Sequence, residues 1–182
     1  MHISYAILKL KKPYFLGNKV NNNYLFLLGN FNIFYYLYKI MTKKMLKFVD
    51  LKKETPEKRK TEKRKKDFDE IYNEFINEKA KEQSSRCSQC GVPYCTVHCP
   101  LHNHIPDWLK LAAEDRLEEA YSISSSTNNM PEICGRICPQ DRLCEGNCVI
   151  EQSGHGSVTI GSVEKYITDK AFEEGWIKPL SI

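Results

Sequence analysis

The sequence lacks an apolar run long enough for a membrane span, a glycine-rich phosphate fingerprint and a recognisable nucleophile–base pair. Its most apolar stretch, residues 24–38, is interrupted by Gly29, Asn30 and Asn32 and falls short of the roughly 20 apolar residues that a spanning helix needs. No small-residue cleavage site follows, which argues against a secretory signal. The segment GHGSVTIG at 154–161 matches neither of the two glycine patterns of phosphate-binding loops, G-x-G-x-x-G and G-x-x-x-x-G-K-[ST]. It predicts a tight turn instead. We therefore expect a cytoplasmic protein that does not enter the membrane.

The charge is unevenly distributed along the chain. The 182 residues carry 27 basic and 23 acidic side chains, for a formal charge of +4. Residues 1–40 contain lysine but no acidic residue, whereas acidic residues predominate in residues 67–182, which hold all eight cysteines. The length favours one domain. We predict that residues 1–44 are a non-native or unstructured extension, with translation beginning at Met41 or Met45, and that residues 45–182 form the domain.

A basic segment precedes the cysteines and predicts a helix that begins at Thr55. Apolar residues follow three or four positions apart: Phe68, Ile71, Tyr72, Phe75 and Ile76. The basic run from Lys58 to Lys66 is interrupted by Glu62 and lacks accompanying aromatic residues. This pattern favours a solvated helix face over a nucleic-acid site, so no nucleic-acid partner is expected.

The spacing of the eight cysteines is the strongest signal in the sequence. The first run is C-x2-C-x4-C-x3-C-P, formed by Cys87, Cys90, Cys95 and Cys99. The second run is C-x3-C-P-x4-C-x3-C, formed by Cys134, Cys138, Cys144 and Cys148. Thiolates at such spacings can converge on one centre, and soft thiolate ligands select zinc, copper(I) or iron–sulfur clusters.

Spacing alone leaves three kinds of site open. Disulfides need an oxidising compartment, and the sequence carries no convincing export signal. Zinc modules commonly use two C-x2-C pairs, of which Cys87 and Cys90 supply one. In iron–sulfur proteins a cysteine followed by proline can ligate a second cluster, and Cys99 and Cys138 both precede proline. The pattern therefore favours iron–sulfur clusters, then zinc, then disulfides.

The stretches RCSQCGVPYCTVHCP, PEICGRICP and GSVEKYITD together resemble the N-terminal iron–sulfur domain of the glutamate synthase small subunit. More broadly, they are similar to the related domain of dihydropyrimidine dehydrogenase and of other NAD(P)H-linked flavoenzymes. The resemblance covers roughly residues 45–179 and includes all eight cysteines in order. It implies a mainly α fold of the α-helical ferredoxin-like kind, a small helical bundle whose loops wrap two 4Fe–4S clusters.

The resemblance also implies that the ligands of the two clusters are interleaved along the chain. One cluster would be held by Cys87, Cys90, Cys95 and Cys148. The other would be held by Cys99, Cys138, Cys144 and a ligand other than cysteine. The candidate is Glu164, because the related dehydrogenase has a glutamine at the matching position. Cys134 would then be a spare thiol, and the simpler alternative, in which Cys134 replaces Glu164, stays open.

In function, the resemblance implies an electron-transfer domain of an NADPH-dependent glutamate synthase, acting in glutamate biosynthesis between a flavin and the large subunit. The family continues into FAD- and NADPH-binding domains, so we expect this chain to be a truncated fragment that is not catalytic alone, with the flavin supplied elsewhere. Two alternatives remain: a zinc-bound structural or docking module, and the iron–sulfur domain of another NAD(P)H-linked flavin oxidoreductase. A truncation product without function is a further possibility.

Helices are predicted around the cysteines, and no alternating strand pattern appears. Residues 104–123 predict a helix pair that starts near Pro106, packs through Trp108, Leu109, Leu111 and Ala112, and has a capping pattern of Asp115 and Glu118. A third helix is predicted from about Ser162 to Glu174, with Gly175 ending it.

Histidines and arginines also lie near the cysteines. The histidines predict a solvated loop rather than metal ligands: His98, His102 and His104. The arginines that flank cysteines are candidates for stabilising thiolates or reduced clusters: Arg86, Arg136 and Arg142.

Overall fold

The structure, a computed structural model, describes residues 45–179, which form short helices joined by loops. A 3₁₀ turn at Lys47–Val49 comes first. The α-helices of this part of the chain follow in order: α1 Thr61–Arg64, α2 Asn77–Ser85, α3 Tyr94–Val97, α4 Ile105–Ala113, α5 Leu117–Ser125, α6 Pro131–Ile137, α7 Val149–Gln152 and α8 Ile160–Glu173. The only β pairing within residues 45–179 is one bridge between Lys58 and Tyr72. The predicted mainly α fold is confirmed.

Within residues 45–179, no helix combines the length and the apolar character that a membrane span requires. The predicted N-terminal extension lies outside the described residues.

The centre of the domain is built on α4, whose apolar face is buried as the sequence predicts. Pro106 occupies the first turn, where its missing N–H has no helical partner to lose. Trp108 is fully buried, and its indole Nε1 donates to Oδ1 of Asn103 at 2.8 Å. The hydrogen bond satisfies the one polar atom of the largest core side chain, so Trp108 can be buried without an unpaired donor.

The turn between α4 and α5 differs from the prediction. No side-chain cap is made at the start of α5, where Arg116 is the N-cap residue, so the predicted capping box of Asp115 and Glu118 is wrong. Asp115 instead takes a left-handed conformation, with φ of 66°, and its carboxylate forms an ion pair with Lys81 of α2 at 2.8 Å. The tight turn between two antiparallel helices uses Asp115 for the reversal itself, which removes it from the capping position.

The longest helix within residues 45–179, α8, carries the C-terminal half of the core. It was predicted from about Ser162 and begins two residues earlier, at Ile160, while Gly175, with φ of 71°, follows its end as predicted. Val163 and Ile167 are fully buried, and the helix packs against α6, α5, α2 and α4. Gly154 and Gly156 both have positive φ in the turn before α8, so the predicted tight turn is also found.

The helix predicted from Thr55 is wrong. Only α1 and α2 are helical in this segment, and the chain between them folds back on itself through backbone hydrogen bonds from Arg59 N to Ile71 O and from Asn73 N to Glu57 O. The guanidinium of Arg59 pairs with Asp67 at 2.6 Å, which fixes the reversal. Phe68 is fully exposed, because the reversal removes the apolar stripe that a continuous helix would have buried.

Arg86 joins three segments of the chain directly before the first cysteine. Its side chain is fully buried, and its guanidinium donates to the backbone carbonyls of Leu51, His155, Gly156 and Ser157. No carboxylate within the described residues forms an ion pair with it. Burial lowers the pKa of Arg86, and the charges of Cys148 and Glu151 oppose this effect. Arg86 is therefore a buried cation whose hydrogen bonds fix the position of Cys87.

Glycines allow α6 and α8 to approach each other closely. A methyl group at Gly135 of α6 would lie 2.7 Å from the backbone nitrogen of Lys165 and 2.9 Å from the carbonyl oxygen of Gly161, both in α8. Since these neighbours are backbone atoms, no side-chain movement can relieve the contact. The absence of a side chain at Gly135 thus sets the distance between the helix that bears Cys134 and the helix that bears Glu164.

Candidate metal centre

The structure separates the eight cysteines into two groups, and all eight are free thiols. The first group contains Cys87, Cys90, Cys95 and Cys148. Cys87 follows α2, Cys95 lies in α3, and Cys148 is the N-cap residue of α7. Their thiolate charges would act on one another, which shows that the side chains are neighbours despite their separation in sequence.

Hydrogen bonds surround the sulfur atoms of the first group. The backbone N–H of Gln89 donates to Sγ of Cys87 at 3.4 Å, and its side-chain Nε2 lies 3.3 Å from the same sulfur. The hydroxyl of Ser88 lies 3.0 Å from Sγ of Cys90. Gln89 has a left-handed backbone with φ of 52°, which turns its N–H toward Cys87. Such donors stabilise negative charge on sulfur and tune the potential of a bound cluster.

In the first group, burial favours the protonated thiol form of Cys87 and of Cys95. It raises the pKa of Cys87 to about 11, opposed by the hydrogen bonds from Gln89, and that of Cys95 to about 12. The neighbouring thiols contribute to both of these pKa values in the same direction as burial, Cys148 foremost for Cys87 and Cys87 foremost for Cys95. Because a metal binds the thiolate, metal binding must release these protons and be coupled to the folded arrangement.

The second group surrounds a cavity of about 300 Å³. Its candidate ligands come from four parts of the chain: the loop after α3, helix α6, the loop that follows it, and helix α8. Those lining the cavity are Cys99, Cys134, Cys138, Cys144 and Glu164. Ile105, Leu143 and Ile160 supply apolar walls. Cys95 and Cys99, one helical turn apart, therefore belong to different groups.

Glu164 is a buried carboxyl group, only 9% exposed, on the face of α8 that lines this cavity. Burial raises its pKa to about 7, and a hydrogen bond from Asn128 opposes the rise. Burial likewise raises the pKa of Cys138 to about 11, with further contributions from Cys134 and Glu164, and raises the pKa of Cys144. A cation at this site would favour the ionised form of all three groups.

The second group fits a compact inorganic cluster. A cavity needs on the order of 10–15 Å³ to hold one water molecule, so 300 Å³ can accommodate a group of several heavy atoms. The thiols and the carboxyl are the donor types that iron accepts, and apolar side chains form part of the walls. Within residues 45–179, no three His, Cys, Asp or Glu side chains converge at a point that a single metal ion would occupy.

The family follows from comparison with known proteins. The family profile of dihydropyrimidine dehydrogenase domain II, 4Fe–4S cluster, matches residues 64–176, which is more than half of the chain. The chain belongs to this family. The predicted resemblance to an N-terminal iron–sulfur domain is confirmed, and the match to domain II spans both cysteine groups and the cavity.

The relatives of this chain include glutamate synthase small chains. The glutamate synthase [NADPH] small chain of Azospirillum brasilense is 67% identical over 136 residues, which cover 75% of this chain and 28% of the relative. That of Escherichia coli is 51% identical over 141 residues, covering 78% and 30%. That of Bacillus subtilis is 40% identical over 141 residues, covering 72% and 28%. The chain thus spans 28 to 30% of the length of these relatives.

Other candidate residues from the sequence analysis lie apart from the cavity of the second cysteine group. The three loop histidines are exposed and do not line it: His98, His102 and His104. Arg136 is paired with Glu70 at 2.8 Å and with Asp169 at 2.9 Å on the surface, and Arg142 is exposed. Of the three flanking arginines, only Arg86 is buried beside the cysteines.

Several polar residues around the site were not predicted from the sequence. Asn128 and Gln140 line the cavity, and Gln140 also donates to the backbone carbonyls of Cys134 and Gly135. Glu145, next to Cys144, accepts from Lys53 at 2.7 Å and from the backbone N–H of Gly161 at 3.2 Å. A single sequence gives no sign that the amide of Asn128 is buried.

Proposed function

We propose that this chain is the electron-transfer domain of a glutamate synthase [NADPH] small chain, with two 4Fe–4S clusters. The electron-transfer role rests on the 4Fe–4S family and the small-chain relatives. The observation that carries the proposal is the separation of the cysteines into two groups, each with four or more candidate ligands.

We assign the ligands as the interleaved pattern predicts. The first cluster is assigned to Cys87, Cys90, Cys95 and Cys148. The second is assigned to Cys99, Cys138, Cys144 and Glu164, with Cys134 as the alternative fourth ligand. The neighbouring thiols of the first group and the cavity of the second group support this assignment.

When bound, 4Fe–4S clusters supply one-electron transfer, so the side chains need not gain or lose electrons themselves. The residues of the chain hold the clusters, supply apolar walls around the second one and direct N–H groups of Gln89 at the sulfur of Cys87. We further propose that the electrons pass between a flavin and the large glutamate synthase subunit. FAD and NADPH would bind to the other part of the small chain, in keeping with the 28 to 30% of the relatives' length that this chain covers. The cytoplasmic location stays a prediction.

Metal analysis of the full chain, prepared without oxygen, tests the proposal. We expect iron and acid-labile sulfide in equal amounts, since each 4Fe–4S cluster contains as much of one as of the other. Reduction with dithionite should bleach the visible absorption and give an electron paramagnetic resonance signal. Zinc without iron or sulfide would contradict the proposal and support the alternative of a zinc-bound structural or docking module.

Glu164→Ala is expected to remove the second cluster and leave the first intact. Alanine has no donor atom, and the thiol of Cys134, which lines the same cavity, is engaged by Asn128. The iron content should fall by about half, because two clusters of equal size share it. The measurement is iron per chain together with the resonance spectrum of the reduced sample. Unchanged iron and an unchanged spectrum would show that Glu164 is not a ligand.

Cys134→Ser is expected to leave both clusters in place. The thiol of Cys134 donates to Oδ1 of Asn128 at 3.7 Å, and a serine hydroxyl can make the same hydrogen bond. Iron content should stay within about a tenth of that of the native chain, since both clusters retain their assigned ligands. Cys138→Ser, in the same helix segment, is the comparison that should lose the second cluster. Loss of iron from Cys134→Ser would instead establish Cys134 as the fourth ligand.

A further inference from the structure

Asn128 lies between the two candidates for the fourth ligand of the second cluster. Its side chain is 4% exposed and lines the cavity together with Glu164 and Cys134. The amide makes three contacts: Oδ1 accepts from the backbone N–H of Met130 at 3.0 Å, Nδ2 donates to Oε1 of Glu164 at 3.2 Å, and Sγ of Cys134 donates to Oδ1 at 3.7 Å. One side chain thus touches both competing groups.

The orientation of this amide follows from its surroundings. A backbone N–H can only donate, so the atom of Asn128 that faces Met130 must be the oxygen Oδ1. The nitrogen Nδ2 then has to face Glu164. A flipped amide would set two donors against each other at Met130 and two acceptors against each other at Glu164, which excludes it.

The two ends of the amide act on the two candidate ligands in opposite ways. The N–H that donates to Glu164 Oε1 at 3.2 Å holds the carboxyl group by one oxygen and leaves Oε2 for the cavity that Glu164 lines. Oδ1 accepts from Sγ of Cys134 at 3.7 Å, so this sulfur is held against Asn128 by a hydrogen bond that must break before the sulfur can bind a metal. One group is prepared as a ligand while the other is kept from becoming one.

We propose that Asn128 is a positioning residue that selects Glu164 over Cys134 as the fourth ligand of the second cluster. The proposal rests on the two-cluster function proposed above and deepens it. Asn128 itself binds no metal in this scheme. Its effect passes through the two residues that it contacts, so its removal should make Cys134 competent to bind iron.

The test compares Glu164→Ala and Cys134→Ser in the native chain and in an Asn128→Ala background, using the full chain loaded with iron and sulfide without oxygen. In the native chain, Glu164→Ala should cost about half of the iron and Cys134→Ser almost none, since each cluster holds about half of the total. In the Asn128→Ala background the order should reverse: Cys134→Ser should lose the second cluster, and Glu164→Ala should keep it. Iron per chain and the resonance spectrum of the reduced chain are the readouts.

Asn103→Ala is the matched control. Asn103 is also a buried amide that lines the cavity, but its side-chain hydrogen bonds go to Trp108 and to the carbonyl of Ser124. Its removal disturbs the same wall without touching either candidate ligand. In the Asn103→Ala background, Cys134→Ser should therefore cost no more iron than in the native chain.

Asn128→Asp provides a second variant should Asn128→Ala fail to fold, as judged by helical circular dichroism. The aspartate keeps the acceptor for Met130 but places a carboxylate oxygen where the donor faced Glu164. We expect it to lose the second cluster and retain the first.

Three results would overturn the proposal, and they can be told apart. If Cys134→Ser costs no iron in either background while Glu164→Ala removes the second cluster in both, the selection by Asn128 is wrong and the ligand assignment stands. If Glu164→Ala is without effect in the native chain, the ligand assignment fails together with the selection. A chain that binds no iron would refute the proposed function itself.

Discussion

Arg86→Met is expected to lower the free energy of unfolding by about 3 kcal/mol. The substitution leaves four backbone carbonyls without their donor, and each unsatisfied buried acceptor costs on the order of 1 kcal/mol or more. Part of this loss is offset, because an apolar side chain avoids the desolvation of a buried charge. Since domains of this size have roughly 5–15 kcal/mol of stability, the variant should fold but unfold at a clearly lower denaturant concentration.

Arg116→Met is the control for this comparison. Arg116 also has its donors engaged, by Glu114 and Glu119, but its side chain is 49% exposed. Exposed ion pairs contribute little to stability, so the control should unfold at nearly the same urea concentration as the native chain. Equal effects of the two substitutions in a urea titration would contradict the structural role assigned to Arg86.

The same substitution has an expected effect on the assigned first cluster. Arg86 is a buried cation whose charge acts on Cys148, and a nearby positive charge stabilises the reduced, more negative state of a cluster. Arg86→Met should therefore lower the reduction potential of the first cluster relative to that of the second. A redox titration of the loaded chain measures both, and a shift of the second cluster alone would count against the assignment.

Gly135→Ala is expected to displace α6 from α8 and cost the second cluster. The added methyl group would meet backbone atoms of Lys165 and Gly161 at 2.7 and 2.9 Å, distances that only a movement of the helices can relieve. Overpacking of this kind costs about 1–3 kcal/mol. Alanine recovers about 1 kcal/mol through its higher helix propensity, which is too little to compensate for helices that must separate.

Gly91→Ala is the matched substitution in the first cysteine run. A methyl group at Gly91 has no atom within 4 Å, so the change should alter stability by less than about 0.5 kcal/mol and leave iron binding intact. Gly135→Ala should lose about half of the iron, from the second cluster, because two of its assigned ligands are Cys138, which directly follows α6, and Glu164 of α8. Full iron content in Gly135→Ala would show that the second site tolerates movement of α6.

The sequence was sufficient for the helical character of the domain and for much of its core. Trp108 and Val163 stand in amphipathic patterns that helix period alone reveals, and both are fully buried. The resemblance named the candidate ligands, which lie in two groups in the structure. Which of them bind iron stays a prediction.

Other features depend on contacts that no local pattern records. The apolar spacing after Thr55 resembles a helix, but the pairing of Arg59 with Asp67 reverses the chain, and only Phe75 of the five apolar residues is buried. Arg86, Arg136 and Arg142 all lie near cysteines in the sequence. Nothing in the sequence distinguishes the buried Arg86 from the two arginines at the surface. The hydrogen bond from Asn128 to Glu164 likewise forms only when α6 and α8 are packed together.

The interleaving of the two cysteine groups has a consequence for biosynthesis. As the chain leaves the ribosome, Cys87, Cys90 and Cys95 emerge early, but Cys148, their neighbour in the fold, emerges only near the end of the domain. The assigned ligands of the second group are complete even later, when Glu164 of α8 has emerged. Neither site can be completed on a partial nascent chain, so insertion of iron and sulfide should follow synthesis of almost the whole domain, during which the exposed thiols need protection from oxidation.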